Sequence, residues 1–308
     1  MSLPTYRKIG DDLRTWGRWG PWDQLGTVNL ITDQVRTAAV AAARTGTLFD
    51  LAMPLDDNGP QDGHGRFNPI HRMTRIPGDG ALRDGMLLTD DIVIMPLQCA
   101  TQWDGLTHVG YDGLLYNGVP ATAVTASFGA TRNGFDHVAP RLVGRGVLLD
   151  IAAFKGVDAL AAGEPVSARD LTDAAARQGV EVRSGDILVV RTGWYRHFLA
   201  GDRRTYMGRS APGLDMSCCA WLAEHEVAAV ACDNYLVEVQ PAEPDAGARH
   251  PFHMVMIRDV GMTLGEMFNL EPLAAHCAAH RVWEFLLCAT GLKVTGSAGS
   301  PVTPVAIL

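Results

Sequence analysis

Short apolar runs alternate with helix-forming segments along most of this chain, and this alternation constrains the fold more than any other feature. Apolar runs with β-branched character predict buried strands at residues 47–53, 144–151, 187–192, 227–232 and 283–289, the last being the predicted final strand. Helical segments are predicted between them at residues 34–44, 167–178, 220–225 and 273–280. The sequence therefore predicts an α/β protein.

Two of the predicted helices carry start signals. Thr32 precedes the helix of residues 34–44, which ends before Gly46, and a threonine at this position caps the first free backbone N–H groups. Ser167 precedes the helix of residues 167–178 with Asp170 three residues later, which is close to a capping box.

Length and composition indicate one large soluble unit. The 308 residues are 47% hydrophobic, which is enough for a large core, and no linker divides residues 1–308. We therefore expect a single domain, with the tryptophan-rich residues 1–30 forming an arm or cover. The formal charge of −8 is spread without long runs of one sign, which argues against nucleic acid and membrane partners and leaves a small molecule as the expected ligand.

The cysteines indicate a reducing compartment. Six are scattered through the chain without a Cys-x-x-Cys pair, and no secretory leader precedes them. The apolar runs are too short for a bilayer, which requires roughly 20 apolar residues. We expect reduced, mostly buried thiols and a cytoplasmic protein.

An irregular segment leads into a dense polar cluster. Residues 54–85 are rich in Gly, Pro, Asp and Asn and include His64 and His71, so a functional loop or lid is expected there. Asp90 and Asp91 then precede residues 92–97, which predict a buried strand that presents the next polar groups at its end.

That cluster is residues 98–108, QCATQWDGLTH, and it combines an acid, an imidazole and two carboxamides. Asp104 and His108 are four residues apart, so both side chains can reach one pocket. A carboxylate can bind a metal or orient an imidazole, and histidine is the usual general acid/base near neutral pH. The alternative is a buried Asp104–His108 hydrogen bond that only fixes a loop.

The cluster resembles the signature of the putative cyclase family, which includes kynurenine formamidase and isatin hydrolase. The family pattern is His-x-x-x-His-x-Asp-x-x-x-His; Asp104 and His108 match its last two positions, while Gln98 and Gln102 replace its first two histidines. The resemblance extends over nearly the whole chain, including residues 19–30, 145–150, 185–194 and 299–304.

The resemblance implies a fold and a chemistry. The fold would be the family's swivelling β/β/α type, a barrel-like mixed sheet with flanking helices. The reaction would be metal-assisted attack of water on a carbonyl carbon, with His108 transferring protons and Asp104, His253 and Glu266 holding the metal; His250 is an alternative to His253. The resemblance also implies a homo-oligomer, a dimer or tetramer, in which the tryptophan-rich segment covers a neighbour.

Gln98 and Gln102 leave the metal question open. A carboxamide is a weaker ligand than an imidazole, so with Gln98 and Gln102 the site becomes oxygen-rich, which shifts preference from Zn²⁺ towards Mn²⁺ or Mg²⁺. We expect a divalent metal, Mn²⁺ or Zn²⁺. Alternatively no metal binds; Gln98 and Gln102 would then donate hydrogen bonds to a substrate carbonyl, and Asp104, His108 and Glu266 would carry out acid/base catalysis alone.

Further polar and aromatic residues are candidates for substrate binding. With the two glutamines, the predicted set is Gln98, Gln102, Trp103, Tyr111, Tyr116, Asn117 and His71. The tyrosines and Asn117 are equally typical of an ordinary polar turn. Aromatic walls could come from Trp16, Trp19, Trp22 and Phe67, although core packing is expected for at least two of them. Cys99 paired with His108 is a weak candidate for a thiol nucleophile.

Together these features predict a hydrolase of a small amide, lactam or related cyclic carbonyl compound. Two alternatives remain open at this point. One is a metal-independent lyase or cyclase that uses the same acid/base groups, and the other is a small-molecule-binding protein without catalysis.

Overall fold

A computed structural model describes residues 5–63, 65–80, 84–243 and 246–308. Its strands are β1 Leu48–Asp50, β2 Ile70–Arg75, β3 Asp90–Ile94, β4 Gln102–Asp104, β5 Val124–Thr125, β6 Gly129–Ala130, β7 Val143–Asp150, β8 Pro165–Val166, β9 Ile187–Arg191, β10 Gly213–Leu214, β11 Ala229–Cys232, β12 Thr263–Glu266, β13 Glu284–Cys288, β14 Gly299–Pro301 and β15 Val305–Ile307. Its α-helices are α1 Thr5–Leu13, α2 Asp33–Ala42, α3 Ile151–Phe154, α4 Ala168–Gln178, α5 Tyr195–Leu199, α6 Arg203–Tyr206, α7 Ser217–Glu224, α8 Pro251–His253 and α9 Glu271–His280, and a π-helix, Met254–Val260, follows α8 directly.

The largest sheet has nine strands in the order β1-β15-β13-β7-β9-β11-β12-β4-β14 and curls into a half-barrel with flanking helices. Its four central strands, β7, β9, β11 and β12, are parallel, and the strands on both sides are antiparallel. The predicted α/β class and the barrel-like mixed sheet are therefore confirmed.

Both faces of the sheet are packed, as a central parallel sheet requires. Val147 and Leu149 of β7 belong to a cluster with residues of α4, α7 and the π-helix, whereas Leu148 belongs to a second cluster with residues of α9. This alternation follows from the two-residue period of a strand. No helix in the described part of the chain has both the length and the apolar character needed to cross a bilayer.

The predicted helix starts are confirmed. The hydroxyl of Thr32 accepts a hydrogen bond from the backbone N–H of Val35. Ser167 and Asp170 form the reciprocal bonds of a capping box at α4, in which each side chain accepts from the other residue's backbone N–H. The four predicted helices correspond to α2, α4, α7 and α9.

The segment that precedes the polar cluster is predicted wrongly. β3 is not a buried strand: it pairs with β2 in a separate exposed hairpin, so residues 54–85, predicted as irregular, contain a strand. The run Ile92-Val93-Ile94 lacks polar alternation, which is typical of a buried strand, yet these side chains are about half exposed. His64 and residues 81–83 of this segment lie outside the described residues. β14 and β15 also follow the strand predicted to be the last.

The tryptophan-rich N-terminal segment covers its own chain. The Trp16 indole donates to the carbonyl of Arg258 in the π-helix, and the backbone N–H of Thr15 donates to the carbonyl of Asp259. Gly26 is required here, because a Cβ at this position would lie 1.9 Å from the carbonyl oxygen of Gly261. Trp22, in contrast, is 78% exposed.

Candidate active site

Two antiparallel strands, β4 and β12, form the floor of the candidate site. Their register places Asp104 opposite Leu264 and Gln102 opposite Glu266. Because side chains alternate along a strand, Gln102, Asp104 and Glu266 share one face of the sheet, and all three are buried. The acid of the signature therefore lies on a strand of the main sheet rather than on a helical turn or a loop.

Trp103 points to the opposite face and does not line the site. Its ring packs against Phe268, and its indole N–H donates to the carbonyl of Ala289 at 2.9 Å. Gly265 faces it across the strand pair, where a Cβ would lie 2.7 Å from the indole. The prediction that Trp103 contacts substrate is therefore not supported, since the strand period directs it into the core.

Asp104, His253 and Glu266 form a compact group of potential metal ligands. One ligand atom from each lies within 4.8 Å of the others. His253 Nε2 is 3.3 Å from Glu266 Oε1 and 3.8 Å from Asp104 Oδ2. The structure thus brings together the acid of the signature and the two predicted residues that lie 149 and 162 positions further along the chain.

Gln102 contacts both acids of this group. Its Nε2 donates to Glu266 Oε2 at 2.8 Å and to Asp104 Oδ1 at 3.3 Å. Gln102 Oε1 and Asp104 Oδ2 are buried without a hydrogen-bond partner among the described residues. A buried oxygen without a partner is costly, so two of them beside an acid pair fit a site that accepts a cation.

Glu238, a residue that the sequence did not predict for the site, orients His253. His253 Nδ1 makes a short contact with Glu238 Oε1, and this leaves Nε2 directed at the two acids. Burial lowers the pKa of His253, but Glu238 and Glu266 together outweigh this effect and raise it. Burial, followed by the charge of Asp104, raises the pKa of Glu266. An isolated acid among apolar neighbours at residues 236–239 was the available signal, because unpaired acids are rarely buried.

A carboxylate behind a histidine is a common arrangement around bound metals, and it yields a prediction. We expect Glu238→Gln to weaken Mn²⁺ binding about 10- to 100-fold, because the amide no longer enforces the orientation and basicity of His253. Titration calorimetry would measure the change, with the exposed Glu224→Gln on α7 as the matched control. An unchanged affinity of Glu238→Gln for Mn²⁺ would show that the contact between Glu238 and His253 does not contribute to metal binding.

His108 lies above the acid pair at the boundary with solvent. Its Nε2 is 3.7 Å from Asp104 Oδ1, too long for a direct hydrogen bond, and its side chain is 23% exposed. Asp104 raises the pKa of His108, but burial and the charges of His253 and Arg66 outweigh it, so the pKa lies below the ordinary value. A neutral imidazole with access to solvent can accept a proton from water.

Gln98 approaches the same face from the other side of β4. Gly299 of β14 lies opposite Asp104, and a Cβ at residue 299 would be 2.9 Å from Gln98 Nε2. The missing side chain at Gly299 therefore leaves room for the Gln98 amide beside Asp104.

A cavity of about 1140 Å³ opens onto this group. His108, His253 and Glu266 line it, and so does His250, the alternative to His253. His250 Nδ1 is 3.6 Å from Glu238 Oε1, while His253 is the histidine that faces both acids. The other lining residues are Gln61, Asp62, Gly65, Arg66, Val109, Gly110, Met207, Gly208, Arg209, Tyr235, Leu236, Gln240, Pro241, Arg249, Met254 and Met267.

The remaining predicted substrate contacts lie elsewhere. Tyr111 donates to Asp259, Tyr116 donates to Asp23, and the Asn117 amide donates to the carbonyls of Gly20 and Asp23. His71 contacts Asp91 on the exposed hairpin. The tyrosines and Asn117 thus hold residues 111–117 against the π-helix and the N-terminal segment, which agrees with the alternative of ordinary structural polar groups, and the His71 contact lies within the hairpin. Within the described residues, Phe67, Trp16, Trp19 and Trp22 do not line the cavity.

Cys99 is not an activated thiol. It is buried, and burial raises the pKa of its thiol to about 11. The sulfur atoms of all six cysteines are free, and only Cys288 is partly exposed.

Comparison with known proteins places this chain and its fold in a family. The sequence matches the family model described as putative cyclase over residues 49–239, more than half of the chain. The chain therefore belongs to the putative cyclase family. A search of curated proteins gives no match.

Solved structures agree with this assignment. A crystal structure described as a novel cyclase is 37% identical, with a TM-score of 0.90, covering 97% of this chain and 99% of that one. Isatin hydrolase A from Ralstonia solanacearum is 19% identical, with a TM-score of 0.63 and coverage of 89% and 97%. A predicted metal-dependent hydrolase from Bacillus stearothermophilus is 14% identical, with a TM-score of 0.54 and coverage of 84% and 97%. The likeness to the last two concerns the fold alone.

Proposed function

We propose that this protein is a metal-assisted hydrolase of a small amide, lactam or related cyclic carbonyl compound. The observation that carries the proposal is the buried group of Asp104, His253 and Glu266 beside His108 at the base of an open cavity. The names of similar structures, which include isatin hydrolases and predicted metal-dependent hydrolases, support the same class of reaction.

The donor set fits a divalent cation. Asp104, Glu266 and His253 would hold it, and the unpartnered Gln102 Oε1 would become a further oxygen ligand if the amide were rotated, since its oxygen and nitrogen are interchangeable in shape. Two carboxylates and an amide make the set oxygen-rich, which favours Mn²⁺ over Zn²⁺. When bound, such a cation polarises a carbonyl group and lowers the pKa of water.

The chain's own groups would perform the proton transfers. His108 accepts a proton from the attacking water as the new C–O bond forms, and it returns that proton to the nitrogen as the C–N bond breaks. The products are an acid and an amine, or a ring-opened amino acid from a lactam. Asp104 stabilises the transient imidazolium, because its carboxylate is 3.7 Å from His108 Nε2.

Two observations favour a metal-independent lyase or cyclase as the second candidate. The Gln102 amide donates to both acids, and the raised pKa of His253 supports an imidazolium there. An imidazolium with two amide hydrogens could neutralise the acids without a metal.

Turnover after metal removal tests the proposal and separates the two candidates. We expect the wild-type protein to hydrolyse formanilide or isatin, to lose this activity after dialysis against a chelator, and to regain it with Mn²⁺ or Zn²⁺. Release of aniline, or opening of the isatin ring, is followed by absorbance, with the protein's fold checked by circular dichroism. Full activity in chelator would contradict the metal-assisted mechanism and favour the second candidate.

For assembly, we propose that two copies of the chain associate through the β2–β3 hairpin. A two-stranded hairpin is marginally stable alone, and this one exposes Ile70, Met73, Ile92, Val93 and Ile94. Its outer edges are also unpaired within the described sheets. His71 pairs with Asp91 within the hairpin, and Arg72 and Arg75 on β2 with Asp90 on β3 leave both signs of charge beside the apolar side chains for contacts with a second copy.

Light scattering after size exclusion tests this assembly. We expect a mass of at least twice 33.1 kDa for the wild type and a single-chain mass for Ile92→Lys with Ile94→Lys, because two buried ammonium groups would oppose association. Val157→Lys, at a residue of similar exposure away from the hairpin, is the matched control. A wild-type monomer, or an unchanged oligomer in the double variant, would contradict the proposal.

A further inference from the structure

Three arginines from three separate segments line the cavity above the acid pair. Arg66 lies in the loop before the hairpin, Arg209 follows α6, and Arg249 precedes α8. The acids among the lining residues are Asp62 and Glu266, and Glu266 belongs to the metal-ligand group. The upper part of the cavity is therefore rich in positive charge, although the whole chain carries a formal charge of −8.

Hydrogen bonds to neighbouring segments hold each of the three arginine-bearing segments in place. The Arg66 guanidinium donates to the carbonyl of Gln98 at 3.0 Å, and Gln61 from the same loop donates to the carbonyl of Cys99 at 2.9 Å. The loop is thereby fastened to the start of the signature. Asn68 closes it by bonding the backbone of Gln61 in both directions.

The other two segments are held by residues that themselves line the cavity. The Tyr235 hydroxyl donates to the carbonyl of Gly208, next to Arg209. The Gln240 amide donates to the carbonyl of Arg249 at 3.1 Å. Hydrogen bonds to the backbone therefore fix the segments that carry Arg209 and Arg249.

None of the three guanidinium groups has an ion-pair partner among the described residues. Arg66 donates to a neutral carbonyl, and Arg209 and Arg249 make no side-chain hydrogen bond there. Arg66 is also only partly exposed, and its charge reaches both His108 and Glu266. A partly buried guanidinium without an anion beside a catalytic group is typical of a site that receives the anion from a ligand.

We infer that the substrate carries a carboxylate in addition to its scissile amide or cyclic carbonyl, and that Arg66, with Arg209 and Arg249, binds this carboxylate. The inference rests on the proposed function for the identity of the scissile group. Guanidinium pairs a carboxylate through two parallel hydrogen bonds, which fixes orientation as well as charge. The arginines therefore select anionic substrates and hold the carbonyl towards His108.

A matched pair of amides tests the inference with the metal-loaded protein. 2-Formamidobenzoate carries the carboxylate and formanilide lacks it. We expect the KM for 2-formamidobenzoate to be at least tenfold lower than that for formanilide. We expect Arg66→Gln to reduce this preference about 10- to 100-fold, as the loss of a charge-assisted hydrogen bond does. Arg169→Gln, whose side chain is 89% exposed on α4, is the control.

A second variant, Arg209→Gln with Arg249→Gln, is expected to fold normally, because both arginines are exposed and neither side chain makes a hydrogen bond or ion pair with the described residues. We expect a smaller loss of preference in that double variant. Equal KM values for the two amides, or a preference unchanged in the Arg66 variant, would overturn the inference even if both amides are hydrolysed.

Calorimetric binding distinguishes this failure from failure of the proposed function. If neither amide is turned over, 2-formamidobenzoate is still expected to bind more tightly than formanilide, with a difference that shrinks as salt rises and in Arg66→Gln. Tight, salt-sensitive binding without hydrolysis would contradict the proposed function and leave the anion site standing. Equal binding of both compounds would overturn the anion site.

Discussion

Protein purified without added metal or affinity nickel is expected to carry near-stoichiometric divalent metal, and the Asp104→Asn variant is expected to lose it. Asp104 is fully buried, and its Oδ2 has no hydrogen-bond partner in the described part of the chain. Asparagine keeps the shape but removes the negative charge that the cation requires. We expect an affinity loss greater than about 100-fold, since residues one step removed from a metal already contribute 10- to 100-fold.

Elemental analysis and titration with Mn²⁺ and Zn²⁺ measure this effect. Asp173→Asn on α4 is the matched control, because that carboxylate is about half exposed and pairs with Arg169 alone among the residues that the structure describes. Equal metal content in wild type and Asp104→Asn would mean that the cation is held elsewhere. No metal in either protein would mean that Gln98 and Gln102 have abolished the family site, and would favour metal-independent catalysis.

The second large effect is expected from His108→Gln, which should lower kcat about 10²- to 10⁴-fold while metal content stays near the wild-type value. His108 is the solvent-accessible imidazole that lies 3.7 Å from Asp104, whereas His250 faces Glu238 and His253 is buried and committed to Glu238 and Glu266. Glutamine retains hydrogen bonding but cannot take up a proton at neutral pH. The loss should therefore fall on the proton-transfer step.

Steady-state kinetics with formanilide or isatin measures the change in kcat, and elemental analysis measures the metal. His137→Gln, at an exposed residue on a short 3₁₀ turn, is the control. A kcat within tenfold of the wild type would assign proton transfer to another group. Loss of metal in the variant would instead place His108 among the ligands.

Much of the fold was predictable because its central strands are local and strongly apolar. The runs that form β7, β9 and β11 are continuous and buried, that of β13 is buried at alternate residues, and each coincides with its predicted strand within two residues. The β2–β3 hairpin was not predictable in the same way. Its run Ile92-Val93-Ile94 has the composition of a buried strand. The run stays exposed because β3 pairs with β2 in a separate sheet and not with the main sheet, which the local sequence does not reveal.

The site was predictable in part. Asp104 and His108 follow from the signature, and His253 and Glu266 follow from family resemblance. The side of the sheet that Trp103 faces was also encoded, because Gln102-Trp103-Asp104 is a strand and its middle residue must point away from its neighbours. The three arginines come together only through tertiary contacts between distant segments, so no local pattern identifies them, whereas the acid among apolar neighbours at residues 236–239 was the one local signal for Glu238.

The strand β4 has a consequence for engineering that extends beyond catalysis. It lies between β12 and β14, and each neighbour presents a glycine to it. Gly265 lies opposite Trp103, and Gly299 lies opposite Asp104, where it leaves room for the Gln98 amide from the turn before β4. One glycine gives space to the core and the other gives space to the ligand side. Libraries that redesign specificity can therefore vary Gln98 with residue 299 as one unit and leave residues 103 and 265 unchanged, because these two pack together on the core face.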